Sequence, residues 1–189
     1  MSVRIETSRL VLREFTSRDA NDLFELYRLA ETSEYESWNP HQDADESIGL
    51  LTCWIDCQQD ESRREYTLAV TLEDQFIGIC GIELGFGTET DDPRVGFLGY
   101  RIHPDYWGQG FATESALGII RFAFNDLGLH RIHSGCSSEN VASRRVLEKL
   151  NFRTEGATKQ SFPINERWTD YQLFGMLNHE YHTGVSHEV

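Results

Sequence analysis

The stretch Tyr100-Arg-Ile-His-Pro-Asp-Tyr-Trp-Gly-Gln-Gly-Phe-Ala-Thr-Glu-Ser115 carries the strongest structural signal in the chain. It predicts a strand that ends near His103, a short loop with glycines at positions 108 and 110, and a helix over about 110–127. Glycine adopts positive φ at little cost and lets a ligand approach the backbone closely. The first turn of a helix leaves N–H groups free and carries partial positive charge, so this segment is suited to hold a phosphate group. Two glycines before a helix are also typical of a plain tight turn.

Two well-known phosphate-binding patterns do not fit this loop. No Gly-Lys-Ser/Thr follows the glycines, which excludes a P-loop. The dinucleotide fingerprint G-x-G-x-x-G fails as well, because Thr113 stands where the third glycine or alanine belongs. A phosphate-binding interpretation therefore requires another family.

The rest of the chain predicts a mixed α/β fold built as one domain over residues 1–189. Apolar periodicity places strands at about 9–15, 65–72, 76–84, 95–103, 130–136, 152–160 and 168–177. Helices are expected after residue 19 and at about 46–59, 110–127 and 139–150. The short connections between residues 65 and 103 predict antiparallel hairpins, while the long helix that follows implies a parallel neighbour. The polar tail, about 178–189, is expected to be frayed.

Composition limits the classes of partner. The 189 residues include 17 Lys and Arg against 31 Asp and Glu, a formal net charge of −14, and they contain no basic stripe. Such a chain repels nucleic-acid phosphates and favours cationic partners such as basic peptides, polyamines or amino sugars, although the charge also serves plain solubility. With neither an apolar run of about 18–20 residues nor a visible secretory signal, we expect no membrane association and a cytoplasmic location.

The four cysteines, Cys53, Cys57, Cys80 and Cys136, are expected to be reduced thiols without a catalytic role. Cys53 and Cys57 are four residues apart, but His41 is the only histidine near them in sequence. We therefore expect no metal site.

The segment Trp107-Gly-Gln-Gly-Phe-Ala-Thr-Glu114 resembles the acyl-CoA loop of the GNAT superfamily of N-acetyltransferases, whose pattern is Gln/Arg-x-x-Gly-x-Gly/Ala. Gly110-Phe-Ala112 matches the second half of that pattern. Trp107 replaces the Gln or Arg, a departure that is usual in the branch acetylating serine or alanine N-termini of ribosomal proteins.

Three further segments resemble that branch. Asn140 to Phe152 is similar to its second CoA motif, Asn-x-x-Ser followed by a helix, with Asn151 in place of a glycine. Residues Glu6 to Arg13 resemble its opening strand, and Glu155-Gly156 matches a later Glu-Gly pair. The resemblance thus spans about residues 6–178.

The resemblance implies a mostly antiparallel sheet of about seven strands that splays at the fourth strand, flanked by about four helices. It implies acetyl-CoA as cosubstrate and direct transfer of the acetyl group to an amine, first of all the N-terminal amine of a protein such as a ribosomal protein. A small-molecule acceptor (a polyamine, amino sugar or amino acid) and a CoA-binding module without turnover remain as alternatives. Either a monomer or a homodimer is compatible with the sequence.

The resemblance also assigns the cofactor contacts. Backbone groups near Tyr100, Arg101 and Ile102 would pair with the pantetheine arm. The pyrophosphate would lie on backbone N–H groups of Gly108, Gln109, Gly110, Phe111, Ala112 and Thr113. Asn140 would bind the cofactor arm, although it also fits a helix N-cap. Ser143, three residues on, would lie near the cofactor sulfur and assist the leaving thiolate.

The general base is less clearly indicated. Branch members that use a carboxylate just beyond Glu-Gly would place it at Phe162, which cannot accept a proton. Glu83, in the strand leading to the centre, is the main remaining candidate, ahead of Glu166 and Asp170. A terminal α-amine has a pKa of about 7.7–8.0, so a water-relayed base, or none, would also suffice.

The remaining assignments concern the rim of the site. Trp38 and His41 lie in a loop that lines the acceptor site in the family, or they pack on the core. His103 is expected at the cofactor mouth, and His133 in a structural role.

Overall fold

The computed structural model describes residues 2–87, 91–165 and 167–183. Its strands are β1 (Arg4–Glu6), β2 (Leu10–Arg13), β3 (Glu65–Leu72), β4 (Gln75–Leu84), β5 (Val95–Ile102), β6 (Arg131–Ser137), β7 (Arg153–Ile164) and β8 (Arg167–Leu177). Its helices are α1 (Ala20–Tyr27), α2 (Ala30–Ser33), α3 (Ala44–Gln59), α4 (Phe111–Asn125), α5 (Val141–Lys149) and α6 (Asn178–Thr183), with short 3-10 turns at Ser17–Asp19 and Pro104–Tyr106.

The strands form one mixed sheet in the order β1-β2-β3-β4-β5-β6-β8-β7. Every neighbouring pair is antiparallel except β5 and β6, which are joined through helix α4 and run parallel. The parallel pairing extends over three residue pairs only, from Val95–Arg131 to Phe97–His133. Beyond Phe97 the two strands diverge, and a V-shaped gap opens in the middle of the sheet.

Each face of the sheet buries a separate apolar cluster. Helix α4 covers one face with residues such as Ile119 and Ile120, which pack with Leu68 and Leu98 of the strands. Helices α1 and α3 cover part of the other face, through residues such as Leu23 and Trp54. The apolar periodicity of these helices is therefore satisfied by opposite faces of the same sheet.

The predicted mixed α/β fold is confirmed, with three changes in the number of elements: an added first strand, a split first helix and a short helix in the C-terminal tail. Strand β1 adds an eighth strand, so the strand predicted to splay fourth is β5. The first predicted helix is split, because Leu29 has an extended backbone (φ −76°, ψ 128°) and α2 begins after it.

The expectation of a frayed tail is wrong for its first part, since Asn178–Thr183 form α6. The Asn178 backbone N–H donates to His130 O at 3.0 Å, and its side-chain amide donates to Leu129 O at 3.1 Å. The Tyr181 ring lies against Phe124 of α4, with ring centroids 5.2 Å apart. These contacts to the body of the fold could not be predicted from the polar composition of the tail. Residues 184–189 lie outside the described ranges.

No helix in the described part of the chain is both long and apolar enough to cross a membrane.

Candidate active site

The glycine loop after β5 has the backbone geometry of an anion cradle. Gly108 and Gly110 have φ values of +75° and +85°, which residues with a side chain rarely adopt. Glu114 N donates to Gly110 O at 3.0 Å as the first turn of α4 closes. The N–H groups of Phe111, Ala112 and Thr113 precede that bond, so they have no acceptor inside the helix. A phosphate at this end of α4 would meet free donors and the positive end of the helix dipole.

A buried carboxylate braces this cradle. Glu114 is only 4% exposed, and its carboxylate accepts hydrogen bonds from Thr7 Oγ1 (2.6 Å), Ser8 Oγ (3.0 Å) and both the backbone N (2.8 Å) and Nε (2.7 Å) of Arg9. Burial by itself raises the pKa of Glu114, but these hydrogen bonds hold that pKa below its ordinary value. The carboxylate is therefore ionised and ties the β1–β2 turn to the first turn of α4.

Arg9 extends this bracing to the loop itself. Its guanidinium donates to Gln109 O at 3.1 Å and lies 4.4 Å from the centroid of the Phe111 ring. Sequence analysis missed both Arg9 and Glu114 as site residues. The available signal was an acidic residue, Glu114, inside the apolar run of α4.

The gap between β5 and β6 exposes unpaired backbone on one side of β5. Odd-numbered residues of β5 pair with β4, as the bonds Gly85 N to Val95 O and His103 N to Ile77 O show. The even-numbered residues therefore direct their backbone groups toward β6. Leu98 O, at the apex of the gap, accepts a hydrogen bond from Ser134 Oγ at 2.9 Å. Tyr100 and Ile102 follow along the gap. Ile102 O accepts a hydrogen bond from Trp107 Nε1 at 2.6 Å.

This register corrects the expectation for Arg101, whose backbone faces β4 opposite Ile79 and not the gap. Its side chain lies on the face of the sheet covered by α1. The guanidinium donates to Tyr27 OH at 2.7 Å and stacks over the Tyr27 and Trp38 rings, 4.8 and 4.7 Å from their centroids. Sequence periodicity alone could not say which edge of β5 would be paired.

At the edge of the gap, three predicted residues meet. Tyr100 OH lies 2.9 Å from Ser143 Oγ and 3.0 Å from Ser143 O, although the two residues are 43 positions apart. Asn140 caps α5, with its Oδ1 accepting from Ser143 N at 2.9 Å. The cap is therefore present, and Asn140 Nδ2 makes no hydrogen bond within the described residues. The Tyr100 side chain was not predicted to be part of this group.

Glu83 lies on the opposite face of the sheet, at the level where the parallel pairing ends. It pairs with Phe97 of β5 on one side and with Glu65 of β3 on the other. Burial, and then the negative charge of Glu65, raise the pKa of Glu83 above its ordinary value. Asp170 and Glu166 were the weaker candidates for the general base. The Asp170 carboxylate already accepts a hydrogen bond from Gln160 N at 2.9 Å, and Glu166 lies outside the described residues.

The expected acceptor loop forms an aromatic wall. Tyr27, Trp38 and His41 pack together, with centroid distances of 5.0 Å between Tyr27 and Trp38 and 4.8 Å between Tyr27 and His41. His41 Nδ1 lies 2.7 Å from Ser47 Oγ. Trp38 and His41 thus pack against α1, and the wall that they form with Tyr27 stands beside Arg101 on the face that carries Glu83.

The two histidines expected at the cofactor mouth and in a structural role, His103 and His133, make contacts within the fold. His103 Nδ1 accepts Asp105 N at 3.3 Å in the turn before the glycine loop. His133 Nε2 donates to Phe86 O at 2.9 Å, and the ring lies 5.3 Å from Phe97. Burial lowers the pKa of His133. Across the gap, Phe162, which stands at the expected carboxylate position, stacks on Tyr171 at 4.8 Å.

Within the residues that the structure describes, no group of three or more His, Cys, Asp and Glu side chains is arranged to hold a metal ion. All four cysteines are free thiols.

Comparison with known proteins identifies the family. Residues 9–153 match the acetyltransferase (GNAT) domain. An uncharacterized N-acetyltransferase of Bacillus licheniformis, p20, is 27% identical over 93% of this chain and 96% of its own length. The [ribosomal protein uS5]-alanine N-acetyltransferase of Escherichia coli is 25% identical over 96% of this chain and 94% of its own.

The fold is also that of solved acetyltransferases. The spermidine N-acetyltransferase of Vibrio cholerae, solved with CoA and spermine, superposes with a TM-score of 0.79 at 23% identity, over 93% of this chain and 99% of that one. At that identity the likeness shows the fold alone. Because the family domain matches most of the chain, the protein belongs to the GNAT family of acetyltransferases.

Proposed function

We propose that the protein transfers the acetyl group of acetyl-CoA directly to a primary amine, and that the amine is the N-terminus of a protein. The observation that carries the proposal is the gap between β5 and β6, which combines unpaired β5 backbone, the free N–H groups of α4 and the Tyr100–Ser143 pair. The near full-length similarity to a ribosomal-protein alanine N-acetyltransferase supports the protein acceptor.

The cosubstrate would lie along the gap. The N–H groups of residues 108–113 would hold its pyrophosphate, and the free backbone groups of Tyr100 and the Ile102 N–H would pair with the pantetheine amides. Asn140 Nδ2 is available to donate to the same arm. This placement brings the thioester toward the apex of the gap and toward Ser143.

Three groups would serve the chemistry. The carboxylate form of Glu83, approached from the opposite face, would accept the proton of the attacking amine, directly or through one water. A backbone N–H of β5 in the gap would donate to the thioester oxygen as negative charge develops on it. Ser143 would donate to the departing thiolate, with Tyr100 OH holding its hydroxyl in place. The amine attacks the carbonyl carbon, the C–S bond breaks, and no covalent enzyme intermediate forms.

A small cationic amine is the second candidate acceptor. The net charge of −14 and the carboxylates of Glu65 and Glu83 on the acceptor face favour any cation. The fold is shared with a spermidine acetyltransferase, and fold does not select between the two acceptors.

Substitution of Gly110 tests the cradle. Gly110→Glu places a negative charge at the predicted pyrophosphate position and forces a side chain onto a φ of +85°, so acetyl-CoA binding should be lost in titration calorimetry. Gly128→Glu is the matched control, since Gly128 follows the other end of α4 with a φ of +67°. Retained affinity in Gly110→Glu would remove the cradle from this loop.

Ser143→Ala tests the leaving-group role. We expect kcat to fall by ~10–100-fold with little change in KM for acetyl-CoA, because the proposed hydrogen bond strengthens in the transition state. The control is Ser62→Ala, in the exposed turn after α3, whose steady-state kinetics should match those of the wild-type protein. An unchanged kcat would exclude Ser143 from the mechanism.

The pH dependence of kcat/KM tests Glu83. As a base it must be ionised, so activity should rise with pH through its raised pKa. Glu83→Gln should remove that acidic limb and most of the activity. Glu65→Gln removes the neighbouring charge, lowers the pKa of Glu83 and should move the limb to lower pH. Glu73→Gln, in the β3–β4 turn, is the control and should not change the pH profile of kcat/KM. An unchanged profile in Glu83→Gln would contradict the assignment of Glu83 as the base.

The acceptor itself is best identified by mass spectrometry. The protein is incubated with acetyl-CoA and a pool of peptides with varied N-terminal residues, spermidine and an aminoglycoside. We expect acetylation of peptides that begin with Ser or Ala. Modification of spermidine or the aminoglycoside alone would instead assign a small-molecule acceptor, and no product from folded protein would favour a CoA-binding module.

A further inference from the structure

Most glycines in the strands lie where an added side chain would meet close neighbours or an unfavourable backbone angle. Seven lie in strands of the described residues, and six have a local reason to lack a side chain. An added Cβ would come within 2.3–2.6 Å of another atom at Gly78, Gly81, Gly96, Gly135 and Gly175, and Gly156 has a φ of +151°.

Gly99 is the exception. A Cβ built there meets nothing within 4 Å, and its φ is not in the region that favours glycine. Glycine in the interior of a strand is unfavourable, because it loses more backbone entropy than other residues and packs no side chain. Neither strain nor crowding in the protein explains a glycine at the centre of β5.

The empty space at Gly99 lies on the acceptor face. Side chains alternate along β5, so Gly99 shares a face with Phe97 and Arg101, while Tyr100 points to the face of Ser143. Gly99 pairs with Gly81 of β4, which likewise presents no side chain, and Glu83 is the next residue of β4 on that face. The gap lies on the other side of Gly99.

Two fixed walls bound this space, which we call the Gly99 hollow. Arg101 is held by Tyr27 and Trp38 at one end. At the other end Phe97 packs edge-on against His133, with centroids 5.3 Å apart. The Cα atoms of residues 97 and 101 lie about 13 Å apart along an extended strand, and the side chains of Phe97 and Arg101 border the space between them.

We propose that the Gly99 hollow admits the amine-bearing end of the acceptor, and that Gly99 determines acceptor specificity by leaving that space open. This inference rests on the proposed acetyl transfer and deepens it. The acceptor it fits is a primary amine on a narrow chain, such as an N-terminal residue with a small side chain, entering between Arg101 and Phe97 toward Glu83. A side chain at position 99 would fill the path to the thioester while leaving the β5 backbone unchanged.

The test is a size series, Gly99→Ala and Gly99→Val, assayed with the acceptor that the wild-type protein acetylates. We expect kcat/KM for the acceptor to fall progressively, by ~10-fold or more for Val. The Kd for acetyl-CoA should stay within about twofold of wild type, and the melting temperature should be equal or higher because Val suits a strand. Gly49→Ala, on the open surface of α3, is the matched control.

Three results would overturn the proposal: unchanged acceptor kinetics in Gly99→Val, an equal loss of acetyl-CoA affinity, or a lower melting temperature already in Gly99→Ala. The second would assign the hollow to the cosubstrate and the third would assign Gly99 to the fold. These results are distinct from a failure of the proposed function, which would appear as absence of acetyl transfer by the wild-type protein.

Discussion

The short parallel pairing of β5 with β6 is the constraint on which the site depends. After three residue pairs the strands part, and Ser134 Oγ satisfies Leu98 O at the apex. Unpaired backbone in the middle of a sheet is costly unless a partner satisfies it. Because β5 is fixed by β4 on one side and by the Tyr100–Ser143 contact on the other, the gap would accept an extended ligand backbone without any rearrangement of β5.

A second long-range contact, between Glu114 and Arg9, holds the glycine loop at the open end of that gap. Ionised Glu114 and Arg9 connect the β1–β2 turn to the glycine loop, so contacts within the protein hold the conformation of that loop. The carboxylate would repel an anion at a helix N-terminus, but Arg9 neutralises it at 2.6 Å. Donors fixed in advance lose less entropy on binding, which is the advantage of a braced loop over a flexible one.

In the proposed reaction the sheet would also separate the two substrates. Even-numbered residues of β5 belong to the face of α4 and α5, where the leaving thiolate would be met by Ser143. Odd-numbered residues belong to the face of α1, where Glu83 and the Gly99 hollow lie. One strand can therefore present backbone to a cosubstrate at its edge and an open face to an amine, which suits a direct transfer between the two.

Local features of the sequence were sufficient to predict most elements, the glycine loop and the N-cap at Asn140, because turns, caps and apolar periodicity depend on neighbours within a few residues. The family motifs added the splayed sheet. Only the tertiary structure decided that Arg101 faces the aromatic wall, that Tyr100 reaches Ser143, that Glu114 holds Arg9, and that Gly99 stands over empty space. Strand register and side-chain direction decide these contacts. A shift of one residue in the register of β5 would move each of its side chains to the other face of the sheet.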